Sequence, residues 1–127
     1  MNVSMQFGKP IGAVSEKGKK ASLLWENDSP DSSFSAQTLD VDLSGFTFFG
    51  IIARFSTTYD TRQPLQIFTV DEATKSLNIQ ATTNNRVGGR DVTYSIANKQ
   101  LTIAGASYNG SANNAYAIPV AIYGINL

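Results

Sequence analysis

The sequence predicts an all-β chain, an antiparallel β-sandwich of jelly-roll-like form with about eight short strands and a short N-terminal arm. Three observations carry this. From residue 21 onward apolar residues recur with a period of two instead of the helical period of about 3.6. Clusters of Gly, Asn, Ser and Asp break these runs at the spacing expected of a sandwich. Of the 127 residues, 42% are hydrophobic, enough for one core and too many for a disordered chain.

Residues 1–20 carry Lys9, Lys17, Lys19 and Lys20 against a single acid, Glu16, and are punctuated by Gly8, Pro10, Gly12 and Gly18. This composition reads as a flexible or docking arm, with the sandwich domain occupying 21–127. Glu26, Asp28, Asp31, Asp40 and Asp42 follow with no base among them. Leu39, Val41 and Leu43 alternate with Asp40 and Asp42, a strand with one wet face. Phe49, Ile51, Ala53 and Phe55 alternate in the same way. Phe48 and Ile52 make the other face of that strand apolar too, which predicts a central strand covered on both sides. Further alternating runs are Leu77–Ala81, Val92–Ile96, Leu101–Ile103 and Tyr116–Ile122. Asn98-Lys99 reads as a tight turn, and Thr82–Gly89 and Ser107–Asn114 as exposed loops. Pro64 and Pro119 belong at strand starts or on edges, where the missing N–H breaks no ladder bond. Only Asp71–Ser76 has the composition for a helical turn.

Composition also limits the chemistry. The chain has no cysteine and no histidine, so thiolate nucleophiles, imidazole bases, disulfides and His/Cys zinc sites are excluded. Lysine plus arginine equals aspartate plus glutamate at 10 each, so the electrostatic term behind nonspecific nucleic-acid affinity is absent. No stretch reaches the roughly 20 apolar residues of a membrane span. The start, Met1 to Gly8, lacks the basic and apolar regions of a secretory signal, which implies synthesis in the cytoplasm.

Candidate sites are few. Asp40 and Asp42, at i and i+2, share a strand face and form an acid–base or calcium pair on paper. Two charges on a solvated face is the simpler reading. Glu26, Asn27, Asp28 and Asp31 form an oxygen cluster among ordinary loop residues. Gly88-Gly89-Arg90 lacks the spacing of a phosphate loop and reads as a hairpin. Tyr59, Tyr108 and Tyr116 lie in or beside loops rich in Asn, Thr and Arg, with Asn113 and Asn114 near the last two. Such rings and carboxamides suit glycan binding, while edge packing is the alternative for each tyrosine. No catalytic residue, metal ligand or cofactor is assigned.

The segments Leu23-Leu24-Trp25-Glu26-Asn27, Ser32-Ser33-Phe34, Ala36-Gln37-Thr38, Leu43-Ser44-Gly45-Phe46 and Ile118-Pro119-Val120-Ala121-Ile122-Tyr123-Gly124-Ile125 resemble small β domains that end phage structural proteins. These are tail-fibre, baseplate and head-fibre proteins of phages of Gram-positive bacteria, and the resemblance spans roughly 21–127. In that family the domain usually follows a long fibre, whereas only about 20 residues precede it here. The resemblance implies a non-enzymatic virion protein (a head fibre, decoration or tail-tip component) that displays its sandwich for host-surface attachment. Lys9, Lys17, Lys19 and Lys20 would dock the arm to other virion proteins, with a host-surface glycan as ligand and neither nucleic acid nor membrane as partner. A homotrimer is expected, since fibre-tip domains commonly assemble about a threefold axis and Phe48, Phe49, Ile51 and Ile52 leave a second apolar face to cover. The alternative is a cellular carbohydrate-binding β-sandwich module.

Overall fold

The computed structural model describes residues 21–71 and 76–126. The arm over 1–20 with its lysines, and most of the candidate helical turn, lie outside these residues. The strands are β1 (Ala21–Glu26), β2 (Gln37–Asp40), β3 (Phe48–Ser56), β4 (Gln66–Thr69), β5 (Ser76–Thr83), β6 (Arg86–Ser95), β7 (Gln100–Tyr108), β8 (Ser111–Ala112) and β9 (Tyr116–Ile125). They form an antiparallel β-sandwich of two sheets, ordered β1-β9-β3-β4 and β2-β7-β6-β5, with β8 pairing β7. The early strands pair with late ones, β1 with β9 and β2 with β7. The middle of the chain is plainer, a β3–β4 pair followed by a β5-β6-β7 meander.

The period-two pattern explains the core. Phe49 and Ile51 on β3 and Ile118 and Ile122 on β9 pack against Ile79, Val92, Tyr94, Leu101 and Ile103 from the facing sheet. Phe49 meets Tyr94 edge-on with ring centres 5.3 Å apart, and Trp25 meets Phe34 at 5.9 Å. A smaller cluster of Phe55, Ala81 and Ala117 closes one end, with Tyr108 and Tyr116 against it. On the outer face of β3, Phe48 and Ile52 are only half-buried, so that face is not fully covered by the described residues.

Three local expectations are corrected. The stretch 82–89 is strand except for the two-residue turn Asn84-Asn85, where Asn84 takes a positive φ of 51°. Asn is among the residues that tolerate that region, so it closes the hairpin tightly. Gly88 and Gly89 therefore lie within β6. A Cβ on Gly88 would stand 3.1 Å from that of Tyr116, which is why a side chain is missing there. The stretch 107–114 likewise holds the end of β7, a turn at Asn109-Gly110 and β8. Pro119 sits inside β9, a central strand. It pairs with Ala53 where a bulge shifts the register, and β1 ends at Glu26 opposite Ala121, so no ladder bond is sacrificed.

Candidate ligand-binding end

The end closed by Phe55 gathers the three candidate tyrosines. Tyr108 comes from the last residue of β7 and Tyr116 from the first of β9, and their rings stack with centroids 3.7 Å apart and planes 10° from parallel. Phe55, at the end of β3, meets both edge-on at 6.2 and 5.4 Å. Tyr59 flanks the same phenylalanine at 6.4 Å and is 53% exposed. The edge-packing and ligand-binding alternatives thus converge on one cluster. Each ring packs on Phe55 and keeps exposed surface.

The loop bearing Tyr59 is fixed by the outward side of β3. Ser56 Oγ accepts the backbone N–H groups of Thr58 and Tyr59 at 3.2 and 3.0 Å. Arg54 donates through Nε to Ser56 O at 2.7 Å and through Nη2 to Thr57 O at 2.9 Å, and its Nη1 pairs with Asp60 at 3.2 Å. Arg62 shares the same Asp60 oxygen at 3.3 Å. Two backbone carbonyls bound by the buried Arg54 cation and two backbone N–H groups bound by Ser56 Oγ hold the loop in one shape.

Asn113 and Asn114 are used chiefly as structure. Asn114 Oδ1 accepts the Ala106 N–H at 2.9 Å, and Asn113 Oδ1 accepts the Ala115 N–H at 3.1 Å. Their loop is also fastened by Arg90, which is 1% exposed. Its Nε donates to Ala117 O at 2.8 Å, Nη1 to Ala104 O at 3.0 Å, and Nη2 to Asn114 O and Tyr116 O, both at 3.1 Å. The guanidinium also lies 5.3 Å from the centre of the Phe34 ring. Burial lowers its pKa to about 10, still far above neutrality, so it stays charged. Ala117 adopts φ 49°, a left-handed conformation costing roughly 1–2 kcal/mol for a residue with a Cβ. Its carbonyl is bound by Arg90. Sequence reasoning placed Arg90 in a hairpin and missed this role. The signal was there in parity, because Arg90 shares the strand face of Val92 and Tyr94.

The carboxylate candidates stay apart. Asp42 accepts from the Ser44 N–H and hydroxyl, which hold its carboxyl below the ordinary 3.8, with Lys99 3.9 Å away. Asp40 faces solvent opposite Gln100. Among the described residues, no three acidic side chains gather as a cation site. None of their helices is long and apolar enough to cross a membrane. No family model, no curated protein and no solved structure matches this chain.

Proposed function

We propose that this chain is a non-enzymatic virion structural protein of a phage, a head-fibre, decoration or tail-tip component, that presents the tyrosine end to a host-surface glycan. The tyrosine cluster carries the reading. Three rings from separate segments meet at one loop-bearing end, on a frame held by Arg54 and Arg90. Rigid aromatic surface beside loop amides and hydroxyls is a common basis for sugar recognition. The resemblance to phage fibre-end domains supplies the virion context, with Lys9, Lys17, Lys19 and Lys20 of the arm as docking groups.

A homotrimer is part of the proposal. One register row on the outside of β1-β9-β3-β4 runs Leu23, Tyr123, Gly50, Ile67, and Leu23 and Ile67 are each more than half exposed. With Phe48 and Ile52 it forms an apolar surface, bordered by the exposed Glu26 in the row of Ile52. A second copy is the occupant we assign to it.

The test is to raise antibody against the chain and probe purified particles from a lysogen that encodes it, alongside a glycan array. Label on particles, with array binding lost in Tyr108→Ala, supports the proposal. Glycan binding with no particle association would favour a cellular carbohydrate-binding module instead, a reading that the same tyrosine end supports.

A further inference from the structure

The outer face of the other sheet is polar, and it contains an open depression of about 420 Å³, within the roughly 300–1,000 Å³ typical of small-ligand sites. We infer that this depression, between β5, β6 and β7, is a second binding site, for a neutral oligosaccharide. It goes beyond the tyrosine-end reading, because a sugar held here needs none of the three tyrosines.

Glycines create the depression. Gly89 on β6 and Gly105 on β7 lie on its lining, so the sheet surface there is bare backbone. A Cβ on Gly89 would stand 3.3 Å from Ile79 O and 3.5 Å from Asn78 Oδ1, so the Asn78 carboxamide lies close over the vacant position. A Cβ on Gly105 would come within 3.0 Å of Asn114 Oδ1, the same oxygen that caps Ala106. Both glycines are thus required by neighbours, and their consequence is a floor of backbone with the carboxamides of Asn78 and Asn114 laid against it.

The walls are hydrogen-bonding groups. Asn78 Nδ2 donates to Arg90 O at 3.2 Å and to Asp91 Oδ1 at 3.1 Å, which fixes the carboxamide and the carboxylate relative to each other. Gln80 and Ser107 also line the depression, and their side chains make no hydrogen bond within the described residues. Val87, 44% exposed, adds an apolar patch at the rim.

Charge selects the ligand class. The arginine of this lining, Arg90, turns its guanidinium into the interior, where four carbonyls engage it. Among the described residues the depression therefore offers a carboxylate, carboxamides and a hydroxyl, but no cation. Sugar hydroxyls can donate to Asp91 and accept from the amide of Gln80, while a C–H face rests on Val87. A phosphate or a sialic acid would meet Asp91 without a counter-charge.

The experiment is an amide-resolved NMR titration of the full chain with maltohexaose, cellohexaose and chitohexaose in turn, and with sialyllactose as the anionic control. Saturable shifts at the amides of Gln80, Gly89, Gly105 and Ser107 with one of the neutral sugars are expected. Gln80→Ala and Asp91→Ala should each weaken that binding about tenfold, the loss of one good hydrogen bond, whereas Tyr59→Ala should leave it unchanged. Both substituted side chains are exposed, so the fold is retained. Shifts confined to residues 57–60 and 113–116 would overturn this site while upholding the tyrosine end. No saturable shift at the four amides with any neutral sugar, or tighter binding of sialyllactose there, would overturn it as well.

Discussion

Among the described residues no acid pairs with Arg90, and its worth lies in the carbonyls it satisfies. Each backbone carbonyl left unbonded in the interior costs about 1–3 kcal/mol, although water entering the vacated space recovers part of that. We therefore expect Arg90→Met to lose on the order of 4 kcal/mol in urea unfolding. Arg90→Lys should lose less, because an ammonium still reaches some of the four acceptors but cannot span them all. Equal losses for the two would mean that packing volume matters more than hydrogen bonding. Asp42 offers a separate test at the surface. Its folded pKa is depressed, chiefly by the Ser44 hydroxyl and then the Ser44 N–H. The stability it contributes is therefore present above 3.8 and is lost as pH falls through the lower folded value. In Ser44→Ala, an NMR titration should find the Asp42 carboxyl moved back up toward 3.8, and unfolding by acid should begin correspondingly less steeply.

Among the elements, β9 and β3 form the most revealing pair. Gly124 on β9 lies opposite Phe49, and a Cβ there would come within 2.7 Å of the Phe46 ring. Phe46 comes from the loop before β3 and fills that space. Gly124→Val should destabilise by roughly 1–3 kcal/mol through overpacking, and Phe46→Ala in the same chain should restore part of the loss in thermal melts. An additive double variant would argue that the two sites do not share space. These elements also mark how much was legible beforehand. The strands at 48–56, 76–83 and 116–125 followed from alternation, which is cleanest in β5, where buried Ile79 and Ala81 alternate with exposed Asn78 and Gln80, whereas β3 and β9 are largely buried on both faces. Gly88 and Gly89 misled, since glycine usually signals a turn. Here it signals close approach by Tyr116 and Asn78, a tertiary fact that no local pattern carries. The meeting of Tyr59, Tyr108 and Tyr116 was readable only as three separate loop tyrosines. Their contact depends on which strand ends share one end of the sandwich, and therefore on sheet order.

At the scale of the whole molecule, the apolar outer face of β1-β9-β3-β4 decides the oligomeric expectation. Light scattering at micromolar concentration should return a trimer mass, and Ile67→Glu, which would place a charge in the proposed interface but stay exposed in a monomer, should return a monomer of unchanged melting temperature. A monomeric wild-type chain would leave the face to the arm. Deleting residues 1–20 should then lower the melting temperature, whereas under the proposed assembly the deletion leaves it nearly unchanged and abolishes particle incorporation. The pairing of β1 with β9 has a consequence of another kind, in the timing of synthesis. The strand between β1 and β3 is β9, which leaves the ribosome after the other eight described strands. At about 5–20 residues per second, β1 waits several seconds before its partner exists, with Trp25 and the apolar side chains of β3 uncovered in the meantime. The meander β5-β6-β7 joins neighbours in sequence and can form during that wait. Completion of the other sheet is then a single late event, so arrested nascent chains ending before residue 116 should remain protease-sensitive in β1 and β3, however long the arrest lasts.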